Sequence, residues 1–370
     1  MLRKIRILVE IICQLFGKAI VTPPTITPVV GNRNCKKSKF SIRLEQILFF
    51  LKWHEINRQY FLYDFQNKTK EEEAAYIPYP LFRRMRNKVN LQPYKFIANA
   101  ESFNYIALLR DKFYFGQLVS SLGFSTPKNI AIIHGASNSY FDLITKRESE
   151  LSNLINNEID GYCKIAIGEC GKGVFHLHIS AGNIFIDSKP IAYEDFCELI
   201  GKATFIIQET ITQHILLSRL YSKSVNTMRV VTCIGHDGNI HLLGAVLRVG
   251  AHGNVVDNWA QGGLVLPIDH QGRLGAIARY EFPYNGKLTE TVHPDSNQIF
   301  EGYQIPHYEE AVNSAIKLHK LFYGIGSIGW DIALTENGPC FIEGNDNHEI
   351  SLLQVVMGGL QKEWDDIYKY

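Results

Sequence analysis

The sequence predicts an α+β fold. Strand-like apolar segments occur in pairs joined by turn signals, and helical apolar spacing occurs in separate segments between these pairs. A regular alternation of strand and helix, which a parallel sheet would need, is absent from the sequence. The chain has 370 residues, of which 46% are hydrophobic and 20% are charged, which is typical of a globular protein with two or three subdomains and excludes a disordered chain.

The first part of the chain is predicted to be helical and basic. Residues 1–20 have the spacing of an amphipathic helix, and residues 22–34 contain three prolines and read as a connector. Helical apolar spacing then covers residues 41–75, with Ser41 as the predicted N-cap. Residues 77–94 read as a basic linker.

After residue 100, helices and antiparallel strand pairs follow one another. A helix is predicted to end near Gly123, and an apolar strand follows at 129–133. Next come a strand, a glycine-rich turn and a strand in "GYCKIAIGECGKGVFHLHIS", and a further strand in "ATFIIQETI". Two strands flank the turn "HDGN", a helix covers 308–323, and "IGWDIAL" and "PCFIEGN" form a final hairpin.

The charge is distributed unevenly along the chain. The net charge is +1, but residues 1–100 hold 18 of the 38 Lys and Arg residues and only 7 of the 37 Asp and Glu residues. These residues therefore carry +11 and the others −10, so the basic part could contact an anionic membrane surface, or the two parts could attract each other and pack. We expect no nucleic-acid partner.

Cysteine usage and hydropathy favour a reducing cytoplasm. The seven cysteines are scattered without a C-x-x-C pair, which argues against a zinc ribbon and a disulfide framework. Arg6 and Glu10 interrupt the apolar stretch within residues 1–20, which makes it a poor transmembrane helix and a weak signal peptide. Residues 1–20 could contact the inner face of the membrane peripherally, or they could pack on the body of the protein.

The final hairpin brings acidic side chains together. With "ENG" as a three-residue loop and Gly338 in the left-handed conformation, Asp331 falls opposite Glu343, and Asn345 shares a face with Glu343. Like charges in opposite positions destabilise a sheet unless a cation lies between them, and magnesium prefers such oxygen ligands. The alternative is a solvated edge hairpin. For a metal site, we expect Asp331→Asn or Glu343→Gln to abolish turnover while the fold survives.

Several basic residues could bind phosphate. The glycine loop "GECGKGV" at 168–174 offers backbone N–H groups and Lys172, although it is not a P-loop. Lys164 lies in an apolar strand and needs an anionic partner if it faces inward. Arg229 and Arg248 also lie in apolar strands and suit carboxylate or phosphate, with a structural ion pair as the alternative. His176 and His178 read as ordinary strand histidines and not as a zinc site.

This ordered set of residues resembles the ATP-grasp superfamily over residues 105–356. The strings "NTMRVVT", "NWAQGGLVLPID", "HPDSNQIFEGYQIPHY" and "GWDIALTENGPCFIEGN" resemble the sugar-transfer-associated ATP-grasp family, which is linked to cell-surface polysaccharide synthesis. The resemblance implies two α+β subdomains that clamp ATP. The domains would be a helical N-terminal region at 1–95, a first ATP-grasp part at 96–207 and a second at 208–370.

The resemblance also implies a role for each matched residue. Nucleotide phosphates would be bound by Lys112, Lys164 and the flexible loop with Gly171, Lys172 and Gly173. Backbone groups of the segment Gln208, Glu209 and Ile211 would read adenine. Magnesium would be held by Asp331, Glu343 and Asn345. Arg229 and Arg248 would serve as catalytic cations on the transferred phosphoryl group and the acyl intermediate.

Two departures from the family pattern concern the nucleotide. Ile165 follows Lys164 where many relatives have proline, and "ETITQH" lacks the frequent Gly-x-Glu, which leaves the ribose contact unassigned.

The activity implied is an ATP-dependent ligase that activates a carboxylate, such as a sugar acid, as an acylphosphate for attack by an amine or another nucleophile. The alternatives are a kinase that acts on a sugar-like hydroxyl and a non-catalytic nucleotide-binding scaffold for glycan enzymes.

Overall fold

The structure is a computed structural model that describes residues 36–90, 94–95, 102–168 and 173–368. The α-helices within these residues are α1 (Lys39–Trp53), α2 (Lys70–Ala74), α3 (Tyr79–Asn90), α4 (Ala107–Arg110), α5 (Lys112–Ser121), α6 (Tyr193–Ile200), α7 (Ile215–Leu220), α8 (Tyr308–Leu321), α9 (Ser351–Met357) and α10 (Gln361–Tyr368). None of the helices in these ranges is long and apolar enough to cross a membrane. The helix predicted for residues 1–20 lies outside the described residues.

The strands form two large antiparallel sheets and one short pair, so the predicted α+β class is confirmed. In chain order they are β1 (Tyr94–Lys95), β2 (Ser102–Phe103), β3 (Asn129–His134), β4 (Ser139–Asp142), β5 (Arg147–Glu150), β6 (Ile159–Ile165), β7 (Val174–Ser180), β8 (Asn183–Ile186), β9 (Lys189–Ile191), β10 (Thr204–Glu209), β11 (Thr227–Ile234), β12 (Ile240–Val249), β13 (Leu264–Pro267), β14 (Ala278–Tyr284), β15 (Lys287–Glu290), β16 (Ser327–Thr335) and β17 (Gly338–Asn345).

The first sheet has eight strands in the order β5-β4-β3-β10-β6-β7-β8-β9. Buried and half-buried residues alternate along β3 and β7, because one face of the sheet packs on an apolar core. That core joins Ile133 and Leu177 of the sheet to Phe196 of α6. The predicted strand at 129–133 and the predicted strand pair around the glycine-rich turn are confirmed.

The second sheet has seven strands in the order β15-β14-β13-β12-β11-β16-β17. Its central strands are buried along almost their whole length, because helices cover both faces. On one face Trp330 packs with residues of α5 and α8, and on the other Leu353 of α9 packs with Phe82 of α3. The predicted helix at 308–323 and the strands around "HDGN" are confirmed.

The N-terminal region differs from the prediction in three places. Ser38, and not Ser41, caps α1, because its hydroxyl accepts the N–H of Ser41. The helix ends at Trp53, where the next residue turns into the left-handed conformation. The predicted linker forms α3 instead, since a proline in the first turn of a helix removes only an N–H that has no helical partner.

The α3 helix is fixed to the second sheet by buried polar contacts. Arg86 is 1% exposed and donates to the carbonyl of His348. Asn90 donates to the carbonyls of Ser327 and Asp346, at 2.7 and 2.8 Å, and accepts the N–H of Ser327. The basic region was expected either to contact an anionic membrane or to pack on the rest of the chain. Its α3 helix packs on the body of the protein.

A buried hydrogen-bond chain crosses the core of the second sheet. The indole N–H of Trp330 donates to Thr232 at 2.8 Å, and the hydroxyl of Thr232 lies 2.7 Å from Nδ1 of His319. Nε2 of His319 lies 2.8 Å from the carbonyl of Ile325 and therefore carries the ring proton. This tautomer leaves Nδ1 as an acceptor, and burial lowers the pKa of His319 to about 4.

We expect acid to destabilise the protein through His319. Its pKa is lower in the folded chain than the ordinary value of about 6.5, so between pH 6.5 and 4 only the unfolded chain takes up this proton. The free energy of unfolding should therefore fall by about 1.4 kcal/mol per pH unit in this window. Urea unfolding across this range should show a smaller slope for His319→Gln. An unchanged slope would contradict the assignment. Some slope will remain, because His348 is also held neutral by burial.

Candidate functional site

Two of the predicted site residues come from different sheets and lie near each other. Lys164 is on β6 and Glu343 is on β17, and the charge of Glu343 affects the pKa of Lys164. Burial lowers the pKa of Lys164 to about 8, the charge of Glu343 opposes this shift, and the charge of Lys112 adds to it. The fold thus brings Lys164 of the first sheet and Lys112 of α5 close to an acid of the second sheet.

The hairpin of β16 and β17 reaches the predicted register by a different route. Its loop has two residues and not three, because Thr335 pairs with Gly338, whose φ is +109°. A bulge next to Asp331 leaves Ile342 as an extra residue on β17. The shorter loop and the bulge offset each other, so Asp331 lies opposite Glu343 as predicted.

The three predicted oxygen ligands converge. Asn345 donates its amide N–H to Oε1 of Glu343 at 3.1 Å, and Glu343 is hydrogen-bonded to Asp331. Burial and then the charge of Asp331 raise the pKa of Glu343, and a cation bound between the two acids would oppose this shift. Asp331 is only 2% exposed, and the solvated hairpin is therefore wrong.

Both predicted catalytic arginines bind Asp331. Arg229 lies directly opposite Asp331 in the sheet and holds both of its oxygens, through Nε and through Nη2 at 3.0 Å. Arg248 donates from Nη2 to Oδ2 at 3.0 Å. Burial alone would raise the pKa of Asp331, but the two arginines outweigh burial and hold that pKa well below its usual range.

These contacts leave little room on Asp331. A carboxylate has about four acceptor positions, and the arginines occupy three of them, so one position remains for the proton of Glu343 or for a cation. No group of three His, Cys, Asp or Glu side chains in the described ranges could hold a metal. A cation here would need the amide oxygen of Asn345 together with Asp331 and Glu343, and this set of hard oxygen donors fits magnesium.

Asp257 completes the cluster and was missed in the sequence. Its carboxylate lies 3.5 Å from Nε of Arg248 and accepts the N–H of Thr227 at 2.9 Å. The hydroxyl of Thr227 in turn accepts from Arg248 at 2.6 Å. Arg248 is thus fixed between Asp257 and Asp331. In the sequence the only signal is an acid in the loop before "NWAQGG".

On the first sheet, Gln208 positions Lys164. Nζ of Lys164 donates to Oε1 of Gln208 at 3.0 Å, and Nε2 of Gln208 donates to Asn129 at 2.9 Å. Gln208 and Asn129 are both buried, and Gly116 of α5 leaves the space they need, because a Cβ there would lie 3.1 Å from the Asn129 amide. Asn129 was also missed; it is a polar residue at the start of an apolar strand.

Lys112 lies at the base of the glycine loop. Its Nζ donates to the carbonyl of Gly168 at 2.7 Å, and its N–H donates to the carbonyl of Ala166. Gly173 closes the loop with φ of +67°. Gly171 and Lys172 lie outside the described residues. The loop is therefore joined to α5 at the point where phosphates were predicted to bind.

One backbone group of the predicted adenine segment is already engaged. The N–H of Glu209 donates to the carbonyl of Lys128 at 2.9 Å, within the sheet. The Glu209 carboxylate accepts the N–H of Lys128 at 3.1 Å. Adenine would have to be read by other groups of this segment, such as the backbone of Ile211.

A family model described as sugar-transfer associated ATP-grasp matches residues 92–368. Comparison with curated proteins gave no match. The similar solved structures include a synthetase and two ligases. An N5-carboxyaminoimidazole ribonucleotide synthetase in complex with ADP is 11% identical, with a TM-score of 0.37 over 66% of this chain and 47% of the other. The VanG D-Ala:D-Ser ligase from Enterococcus faecalis is 15% identical, with a TM-score of 0.38 over 70% and 59%. A D-alanine–D-alanine ligase from Bacillus anthracis is 13% identical, with a TM-score of 0.35 over 71% and 70%. This chain thus spans less than two thirds of the first two.

Proposed function

The chain belongs to the sugar-transfer associated ATP-grasp family, and from this membership we propose that it is an ATP-dependent ligase. It would convert a carboxylate to an acylphosphate, which an amine or another nucleophile then attacks. The observation that supports the proposal most is the cluster of Asp331, Glu343 and Asn345 beside Arg229 and Arg248, to which Lys164 lies near enough to feel the charge of Glu343. The family description favours a substrate used in cell-surface polysaccharide synthesis.

The lysines supply the phosphate-binding charge. Lys164 at present donates to the neutral amide of Gln208, and burial disfavours its charged form. A bound phosphate oxygen would give this half-buried ammonium an anionic partner, and Gln208 would hold the ammonium in place. Lys112 adjoins the glycine loop and would bind the same phosphates as the loop does. Closure of the loop would exclude water from these phosphates.

The acids and arginines would act on the reacting group. Asp331, Glu343 and Asn345 would hold magnesium, which when bound neutralises the charge on the phosphate oxygens. Arg229 and Arg248 fix the orientation of Asp331. Each guanidinium has five N–H groups, so both can also donate to the transferred phosphoryl group or to the acyl oxygen.

We expect Lys164→Met to weaken ADP binding about 10- to 100-fold, the value of one charge-assisted hydrogen bond. The melting temperature without nucleotide should change little, because the variant removes a lysine whose charge is disfavoured by burial but also removes the donor to Gln208. Lys189→Met, an exposed lysine of the same sheet, is the matched control. Calorimetric titration and thermal denaturation give both values. A lower melting temperature with unchanged ADP affinity would show that Lys164 is structural.

Product analysis tests the activity. The protein is incubated with ATP, magnesium and pools of sugar acids and amino acids, with and without hydroxylamine as a general nucleophile. ADP together with a new amide or hydroxamate supports the ligase. ADP together with a phosphorylated hydroxyl would establish the kinase instead. Absence of turnover with every pool, despite nucleotide binding, would favour the scaffold.

A further inference from the structure

The outer face of α1 is apolar and exposed. The residues that form this stripe are Phe40, Leu44, Leu48 and Leu51, with 71%, 43%, 56% and 58% of their surface accessible. Their spacing of four, four and three residues places them on one side of a helix with 3.6 residues per turn. A surface helix ordinarily presents polar residues on this side, so the stripe points to an apolar partner.

Basic residues border the stripe on both sides. Lys39 and Arg43 each precede a stripe residue by one position and lie along one edge, and Lys52 lies one turn after Leu48 along the other. All three are exposed. The one acid of α1, Glu45, lies beside Lys52 around the helix, and its charge is paired with Lys37 at 3.1 Å and with Lys70 at 2.5 Å.

The inner face of α1 is already packed. Phe50 is 5% exposed, and Ile42 packs against the aromatic cluster of Tyr60, Tyr63 and Phe65. The ion pair of Glu45 with Lys70 further attaches the helix to α2. Phe40, Leu44 and Leu51 of the stripe therefore face away from the body, while Leu48 and Lys52 border an open cavity of about 530 Å³ that Tyr60 and Ile77 also line.

We propose that α1 docks on an anionic membrane surface. The stripe would enter the boundary between headgroups and acyl chains, while the three basic side chains would reach the lipid phosphates. Charge complementarity selects this partner, because an anionic surface meets both basic borders at once and because residues 1–100 carry +11. The stripe and its basic borders all lie in α1, so the proposal does not depend on residues 1–20. It also does not depend on the proposed ligase activity.

Vesicle sedimentation of the full chain tests the proposal. The vesicles contain phosphatidylcholine alone or phosphatidylcholine with phosphatidylglycerol. We expect binding to the anionic vesicles only, with reduction by salt. Leu44→Gln/Leu48→Gln and, separately, Lys39→Gln/Arg43→Gln/Lys52→Gln should each weaken partitioning at least 10-fold. The matched controls are Leu199→Gln/Leu321→Gln and Lys128→Gln/Lys189→Gln/Lys202→Gln, at exposed sites elsewhere.

Three outcomes would overturn the proposal. The unaltered protein could fail to bind either vesicle, or binding could survive both sets of α1 substitutions and so belong to another segment. Alternatively, the protein could be a dimer that the leucine substitutions dissociate, which would show that a second copy covers the stripe. Circular dichroism checks that each variant folds. If the leucine variant does not fold, the basic-residue variant still tests the proposal.

Discussion

Replacing Glu343 with glutamine is expected to lower turnover at least 100-fold without lowering the melting temperature. Burial and the charge of Asp331 raise the pKa of Glu343, and Glu343 is hydrogen-bonded to Asp331. Glutamine has the same shape and can donate an N–H to Asp331 in its place. It cannot supply the negative charge that a divalent cation needs, so loss of the metal should remove most activity.

Steady-state turnover and thermal denaturation without nucleotide measure the two effects. Glu301→Gln is the matched control, because Glu301 is exposed and lies in a turn outside the hairpin of β16 and β17. Retained turnover in Glu343→Gln would show that this acid holds no catalytic metal. A large fall in melting temperature would show that its charged form stabilises the fold.

Asp331→Asn is expected to destabilise the fold by about 3 kcal/mol, as well as to abolish turnover. Removing the negative charge leaves Arg229 and Arg248 in a buried site with one charged partner fewer. The sequence alone treats Asp331 and Glu343 as equivalent acids whose substitution leaves the fold intact. The structure separates them, because Asp331 binds both the buried Arg229 and the half-buried Arg248, whereas Glu343 forms no ion pair with either.

Urea unfolding at neutral pH measures this loss. Asp366→Asn breaks an exposed ion pair with Lys362 and should change the free energy of unfolding little. If Asp331→Asn were no more destabilising than this control, the arginines would have to find other partners in the variant. The buried cluster would then not depend on Asp331.

Much of the fold follows from local patterns in the sequence. The strands around the glycine-rich turn and around "HDGN" are recognisable because apolar runs and turn residues lie within a few positions of one another. The helix at residues 79–90 was not recognised, because the segment was read as a basic linker; its proline, Pro80, occupies the first turn, where a helix tolerates it. The hairpin register was correct only because the loop and the bulge offset each other.

The site is only partly predictable for the same reason. Residue types and spacing identified Lys164, Glu343 and the two arginines as functional candidates. The sequence could not show that Arg229 lies opposite Asp331, because the pairing of β11 with β16 joins residues about a hundred positions apart. The contact of Asp257 with Arg248 depends on the path of a loop, which apolar spacing does not encode.

The central claim is that a metal-nucleotide complex binds between Lys164 of the first sheet and Glu343 of the second. Calorimetric titration of the whole chain with ADP, with and without magnesium, tests this claim most directly. We predict binding that weakens at least 10-fold when magnesium is chelated, and that Glu343→Gln removes this dependence on magnesium while Lys164→Met weakens binding in both conditions. Failure of ADP to bind, or binding that neither magnesium nor these substitutions affect, would contradict the account.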